Sequence, residues 1–158
     1  MQQVQKGQQE EALGRSRGGF STKVHMRAEG QGKPLVFVLT GGERHEQTAF
    51  ESLMEHGAVR RVGRGRPRIR PERLVGDKAY STDKVRGYLR RREIDAVIPY
   101  RAGQRTSDPF DRRTYRERNR IERLINRLKQ FRRIATRYEK RAANYLAMLA
   151  VAAILLWL

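Results

Sequence analysis

The sequence predicts an α/β fold in which helices cover a sheet, and three observations carry that prediction. Residues 20–26 alternate (Phe20, Thr22, Val24, Met26), the period of a half-buried strand. After a turn, residues 34–40 form a continuous β-branched and aromatic run, PLVFVLT. Further on, two short apolar runs at residues 74–76 and 94–99 each follow a segment of helical length. Parallel strands joined through crossover helices require helices layered on the sheet. A chain of 158 residues with 38% apolar content suits one domain.

Taken in order, residues 1–19 read as a flexible entry segment, polar first and then rich in glycine and arginine, and residues 20–158 as the folded domain. The two strands at residues 20–26 and 34–40 form a hairpin about a turn at residues 30–33, with the second strand expected to be central and buried on both faces. Phe50, Leu53 and Met54 give helical spacing to residues 48–59. Residues 60–73 are a loop with seven arginines and two prolines. A short strand then ends at Asp77, and Ser81 or Thr82 can cap a helix running to about residue 92. Ligands in such sheets bind beyond the carboxyl ends of strands, where Asp77 falls. A strand at residues 94–99, a polar loop at 101–113 and a long helix over residues 115–133 follow. Residues 145–158, YLAMLAVAAILLWL, close the chain as a buried core helix. As a helix, fourteen residues span roughly 21 Å against a hydrocarbon slab of about 30 Å, so a membrane span is not expected.

The charge balance is lopsided. Thirty-five Lys and Arg face 17 Asp and Glu, a formal net charge of +18. That surplus repels itself unless a polyanion is nearby, and arginine's planar fork grips phosphate in a bidentate way. Nucleic acid therefore leads over an anionic membrane, because the charge is spread through several segments. The absence of cysteine excludes disulfides, a thiolate zinc site and a cysteine nucleophile. Residues 1–11 contain no apolar run, so no signal peptide is expected.

The long helix carries the sharpest pattern. At about 100° per residue, Tyr115, Arg118, Glu122 and Lys129 share an arc about 60° wide. Leu124, Ile125, Leu128 and Phe131 form an apolar stripe, and Arg116, Arg120, Arg123 and Arg127 form a purely basic one. Arg118 and Glu122 alone make an ordinary i,i+4 pair. Four clustered arginines favour phosphate as their counter-charge.

Tyr115, Arg118, Glu122 and Lys129 also reproduce the Tyr-x2-Arg-x3-Glu-x6-Lys signature of DDE transposases of bacterial insertion sequences. Asp77-Lys78-Ala79-Tyr80 is similar to a second element of that family, as are GRSRGGFSTKVH (residues 14–25), Pro34-Leu35, Gly42-Glu-Arg-His-Glu46 and the closing apolar helix. The resemblance spans roughly residues 12–158. It implies an RNase H-like mixed sheet with flanking helices. It implies two divalent ions, Mg2+ or Mn2+, held by two aspartates and a glutamate, which cleave and transfer DNA strands at the ends of an insertion sequence. Asp77 and Glu122 would be catalytic metal ligands. Tyr115, Arg118 and Lys129 would lie on transposon-end DNA, and the basic stripe on its backbone. His25, His45 and His56 form no ligand cluster by spacing; His45 is placed on the surface or behind the site. Residues 60–73 are read as contacting DNA.

The family's first aspartate sits on a first strand ahead of the GRSRGG stretch, and no aspartate or strand-like run lies in residues 1–15. The expected fold is therefore incomplete at its N-terminus and its ligand set short by one carboxylate. Two expectations follow: a C-terminal catalytic part that needs an upstream transposase half, or an inactive remnant that only binds DNA. Terminal-repeat and target DNA are the expected partners, with a homodimer assembled on DNA, no membrane, and a place in the bacterial cytoplasm at the nucleoid.

Overall fold

A computed structural model describes residues 11–59, 63–104 and 109–158. Among these residues five strands, β1 (Gly14–Ser16), β2 (Gly19–Ala28), β3 (Pro34–Gly41), β4 (Arg73–Val75) and β5 (Asp95–Val97), make two sheets. The first is antiparallel in the order β1-β2-β3, with His25 opposite Val38 and a bulge between Arg27 and Ala28. The second is a parallel pair, β4 and β5, with Leu74 opposite Ala96. Among the described residues six α-helices accompany them: α1 (Phe50–Glu55), α2 (Asp83–Arg91), α3 (Arg112–Tyr115), α4 (Asn119–Lys129), α5 (Arg132–Ala135) and α6 (Ala142–Trp157). The result is an α/β architecture.

Local chemistry explains most of these elements. The β2–β3 turn is drawn tight by Glu29, whose carboxylate accepts the N–H groups of Gln31 and Lys33 at 2.9 Å each. Gly32 takes φ +86° there, and a Cβ at that position would lie 3.2 Å from Arg120 Cβ. Glycine alone meets both demands. Thr82 caps α2 by accepting from the Val85 N–H, and Arg90 and Arg91 complement its last turn. The α2 crossover between β4 and β5 is what makes that pair parallel.

Two cores result. The upper one joins Phe50 and Met54 of α1 to Val85, Tyr88 and Leu89 of α2 and to Ile94 and Ile98 around β5. The lower one joins Leu124 and Leu128 of α4 to Ile134, Tyr145, Leu149 and Ala152, with Met26, Phe37 and Leu39 of the hairpin packed on it. Burying one leucine completely, as at Leu89 or Leu149, stabilises by about 1.5–3 kcal/mol.

The structure corrects several expectations. Gly14–Ser16 lies within the predicted flexible entry segment but forms strand β1 against Gly19–Ser21; residues 1–10 of that segment lie outside the described residues. Strand β3 is an edge strand, mostly half-buried, with β2 as its neighbour on one side. The long helix is interrupted: α3 passes through a 3-10 turn, Arg116–Arg118, into α4, which stops at Lys129. Phe131 is extended and precedes the separate α5, and Ile125 is exposed on α4. Helix α6 buries Tyr145, Leu149 and Ala152 but exposes Val151, Ile154 and Leu155. Among the described residues, no helix is long and apolar enough to cross a membrane.

Candidate active site

Strand β4 delivers Asp77 to the site. The Gly76 N–H donates to Val97 O at 3.2 Å, so the paired backbone runs one residue past β4 before the chain turns. Asp77, half-buried, opens the 3-10 turn Lys78–Tyr80 and accepts the Ala79 N–H through Oδ1 at 2.7 Å. The turn is braced from behind. Arg101 donates to the carbonyls of Lys78 and Ala79, and the wholly buried Ser81 donates to Gln104 while accepting from Arg86 at 2.9 Å. Arg86 also donates to Ile98 O and lies 3.9 Å from the centre of the Tyr100 ring. Nothing in the spacing of these residues announces the brace.

Tyr80 ends the turn. Burial first, then the negative charges of Asp77 and Glu46, push its phenol up to about 12, so it stays a neutral donor at physiological pH. Glu46 stands in the 3-10 turn Glu46–Ala49 and accepts from Lys23 Nζ at 2.9 Å, and that bond holds its carboxyl below the usual range. His25, buried on β2, pairs through Nε2 with Thr40 Oγ1 at 2.8 Å. Burial first, and then the Lys23 ammonium, hold this imidazole below its ordinary value, with Glu46 opposing. A second titratable group of Lys23, His25, Glu46 and Tyr80 therefore stands beside Asp77. Sequence spacing does not reveal it, because β2, the Glu46 turn and the β4 end are far apart along the chain. His45 is exposed, as expected, and His56 is exposed with its Nδ1 2.8 Å from Ser52 O.

This group predicts a two-stage acid response. An unfolded histidine takes up a proton near pH 6.5, whereas folded His25 resists it, so stability falls as pH drops below about 6.5. Glu46 is the opposite kind of group with the same sign: its stabilisation is full above an ordinary pKa near 4.5 and is lost as pH falls through its lowered folded value. Melting temperature measured from pH 8 to about 3 is expected to decline in both ranges. In His25→Gln, which can still bond to Thr40, the decline near pH 6.5 is expected to vanish while the lower one persists.

Glu122 lies on the first turn of α4, with its side chain half exposed, and accepts from Arg118 Nη1 at 2.6 Å. The Tyr115 ring packs 5.1 Å from Phe110, with the Arg118 guanidinium 6.0 Å from its centre. Lys129 is exposed at the far end of α4, as are Arg116, Arg123 and Arg127 around the helix. Arg120 is occupied differently: it pairs with Glu117 at 3.6 Å and donates to Gly30 O, tying α4 to the hairpin turn.

A cleft of about 600 Å3 connects the two halves of the site. Gly76 and Tyr80 line it on the β4 side and Glu117, Arg118, Arg120 and Ile121 on the helix side, while Asp77 and Glu122 themselves are not among its lining residues. The carboxylate oxygens of Asp77 and Glu122 are the hard donors that Mg2+ or Mn2+ takes, so they fit a metal in kind. In number they fall short: among the described residues, no three His, Asp or Glu side chains form a group able to hold a metal ion.

Comparison with known proteins bears on this arrangement. A family model described as a transposase DDE domain matches residues 3–157. A protein of Brucella ovis, named as a transposase for insertion sequence element IS6501, is 28% identical over 140 residues, covering 88% of this chain and 99% of that protein. A protein of Burkholderia cepacia, named as a transposase for insertion sequence element IS402, is 33% identical over 121 residues, 77% of this chain. The match covers 55% of that second relative. No solved structure matches the chain.

Proposed function

The chain belongs to the DDE transposases of bacterial insertion sequences, and from that premise we propose that it is the C-terminal catalytic part of an RNase H-like enzyme that cleaves and transfers DNA strands at insertion-sequence ends. One observation supports the reading above the others. Gly76, next to Asp77, and Ile121, next to Glu122, line a single cleft, although the two acids are far apart in sequence. Asp77 and Glu122 would hold the divalent ions, which supply activation of the attacking hydroxyl and charge relief at the leaving oxygen. A carboxylate from an upstream part of the transposase would complete the set.

The chain's own side chains do the rest. The Arg86–Ser81–Gln104 brace fixes the turn that orients Asp77. Arg118, which pairs with Glu122, would also meet the DNA end beside Tyr115, and Lys129 would meet it at the far end of α4. Arg116, Arg123 and Arg127 contact backbone phosphate, with Arg120 shared between that task and the hairpin turn. Transposition joins paired ends, so a dimer assembled on DNA at the nucleoid is part of the proposal. Mn2+ binding followed by electron paramagnetic resonance tests the ligands: Asp77→Asn and Glu122→Gln are each expected to weaken it, and unchanged binding in both would refute the assignment.

A second reading, DNA binding without chemistry, is favoured by the lack of a third ligand among the described residues and by the closed Arg118–Glu122 pair. Both readings share a prediction for the basic stripe. Replacing Arg116, Arg123 and Arg127 by alanine is expected to weaken duplex binding alike on all sequences. The log–log salt slope is expected to become shallower by about 0.9 for each phosphate that is no longer neutralised. Fluorescence anisotropy across a salt series measures both.

A further inference from the structure

We propose that the loop tip Arg64-Gly65-Arg66-Pro67 is a second DNA-binding element that inserts into the minor groove of A·T-rich duplex. The loop is closed at its neck by paired backbone bonds between Val59 and Arg68, both 2.8 Å. Its stem is fastened to the body. Arg68 pairs with Glu72 at 2.6 Å, Arg70 with Glu93 at 3.3 Å and Arg73 with Asp95 at 2.8 Å, while Arg27 donates to Ile69 O at 2.8 Å. The acids thus neutralise the stem arginines. Among the described residues, Arg64 and Arg66 at the tip have no carboxylate partner and are exposed.

The tip's chemistry selects the groove. A minor groove about 6 Å wide excludes a helix or paired ribbon but admits one chain. Gly65, at φ +140°, holds a backbone shape that a side chain would strain, and it leaves nothing between the two arginines to keep the chain off the groove floor. Two residues span at most about 6.6 Å of backbone, a reach that matches two base-pair steps at about 3.4 Å each, and the bend at residues 63–65 sets how much of it the two arginines use. Pro67 fixes the next φ and removes one backbone donor. Narrow A·T tracts concentrate negative potential that draws arginine inward, whereas the guanine N2 amino group obstructs the floor. Helix α4 is a separate element, so the chain would grip the duplex at two places.

The inference rests on the reading that DNA is the partner, and the test separates the two. Anisotropy is measured on three duplexes of equal length: A·T-rich, G·C-rich, and the latter with inosine for guanine, which removes the N2 amino group but keeps the major-groove edge. The A·T and inosine duplexes are expected to bind about tenfold more tightly than the G·C duplex. Arg64→Ala with Arg66→Ala is expected to erase that preference and to weaken binding to all three duplexes, whereas Gly65→Val, which keeps both charges, is expected to erase the preference while leaving binding to the G·C duplex largely unchanged. Because the tip is exposed, circular dichroism is expected to show an unchanged fold. Equal affinity for the three duplexes, or a preference that survives both variants, overturns the minor-groove assignment alone. Failure to bind any duplex overturns the DNA reading with it.

Discussion

Glu122→Gln is expected to lower metal-dependent cleavage of a terminal-repeat duplex by about 10³-fold or more, while duplex affinity without metal stays within about twofold. The substitution keeps the side chain's shape and its capacity to accept from Arg118, but removes the charge that would hold a divalent ion. Losing about 4 kcal/mol of transition-state stabilisation corresponds to about 10³ in rate, and a metal ligand acts on charge of that order. The assay supplies the chain with the upstream transposase part, and this chain by itself is expected to give no cleavage. Arg118→Ala is the informative companion, because it frees Glu122 from its 2.6 Å partner. Metal affinity is expected to rise slightly and affinity for the terminal repeat to fall. Robust strand transfer by the isolated chain would contradict the three-carboxylate proposal, and a Glu122→Gln protein cleaving at the original rate would remove Glu122 from it.

How far the sequence discloses this molecule depends on the range of the interactions involved. Strands β2 and β3 are legible because alternation and β-branched content are local. So are the Thr82 cap and the strand end at Asp77. The Arg118–Glu122 pair follows from i,i+4 spacing alone. By contrast, α6 is almost wholly apolar around its circumference, so no periodicity distinguishes the face that meets α4 from the face left in solvent. Strand β3 reads as central for a similar reason: a continuous apolar run does not say how many neighbours a strand has. The break after Lys129 is set by Phe131 leaving the helix to pack on the lower core, which is a tertiary demand. At the site, the Lys23–His25–Glu46–Tyr80 group and the Arg86 brace depend on contacts between distant segments. A single sequence encodes them without marking them. Arg27 is a further case: nothing local in the sequence marks it, yet its guanidinium donates to the carbonyls of Leu53, Met54, His56 and Ile69.

Leu149→Ala is expected to cost about 2–5 kcal/mol, a large share of a domain's total of about 5–15 kcal/mol. Leu149 is 0% exposed and lies where α6 meets Leu124 and Leu128 of α4 and the inner face of the hairpin. Truncation there leaves a cavity among side chains already fastened on other sides, so the neighbours have little room to close in. Tyr145 is tied through its hydroxyl to Ile134 O at 2.8 Å, and Trp157 donates to Pro34 O at 2.8 Å. Val151→Ala on the same helix, where the side chain is 54% exposed, is expected to cost less than about 1 kcal/mol. Urea unfolding midpoints measure the contrast. The consequence reaches the site, because the lower core is the seat of α4 and α4 carries Glu122. A destabilised seat is expected to weaken Mn2+ binding in proportion to the unfolded fraction. Midpoints that shift equally in Leu149→Ala and Val151→Ala would show that α6 does not anchor α4 and that Glu122 owes its position to the β4 side of the cleft.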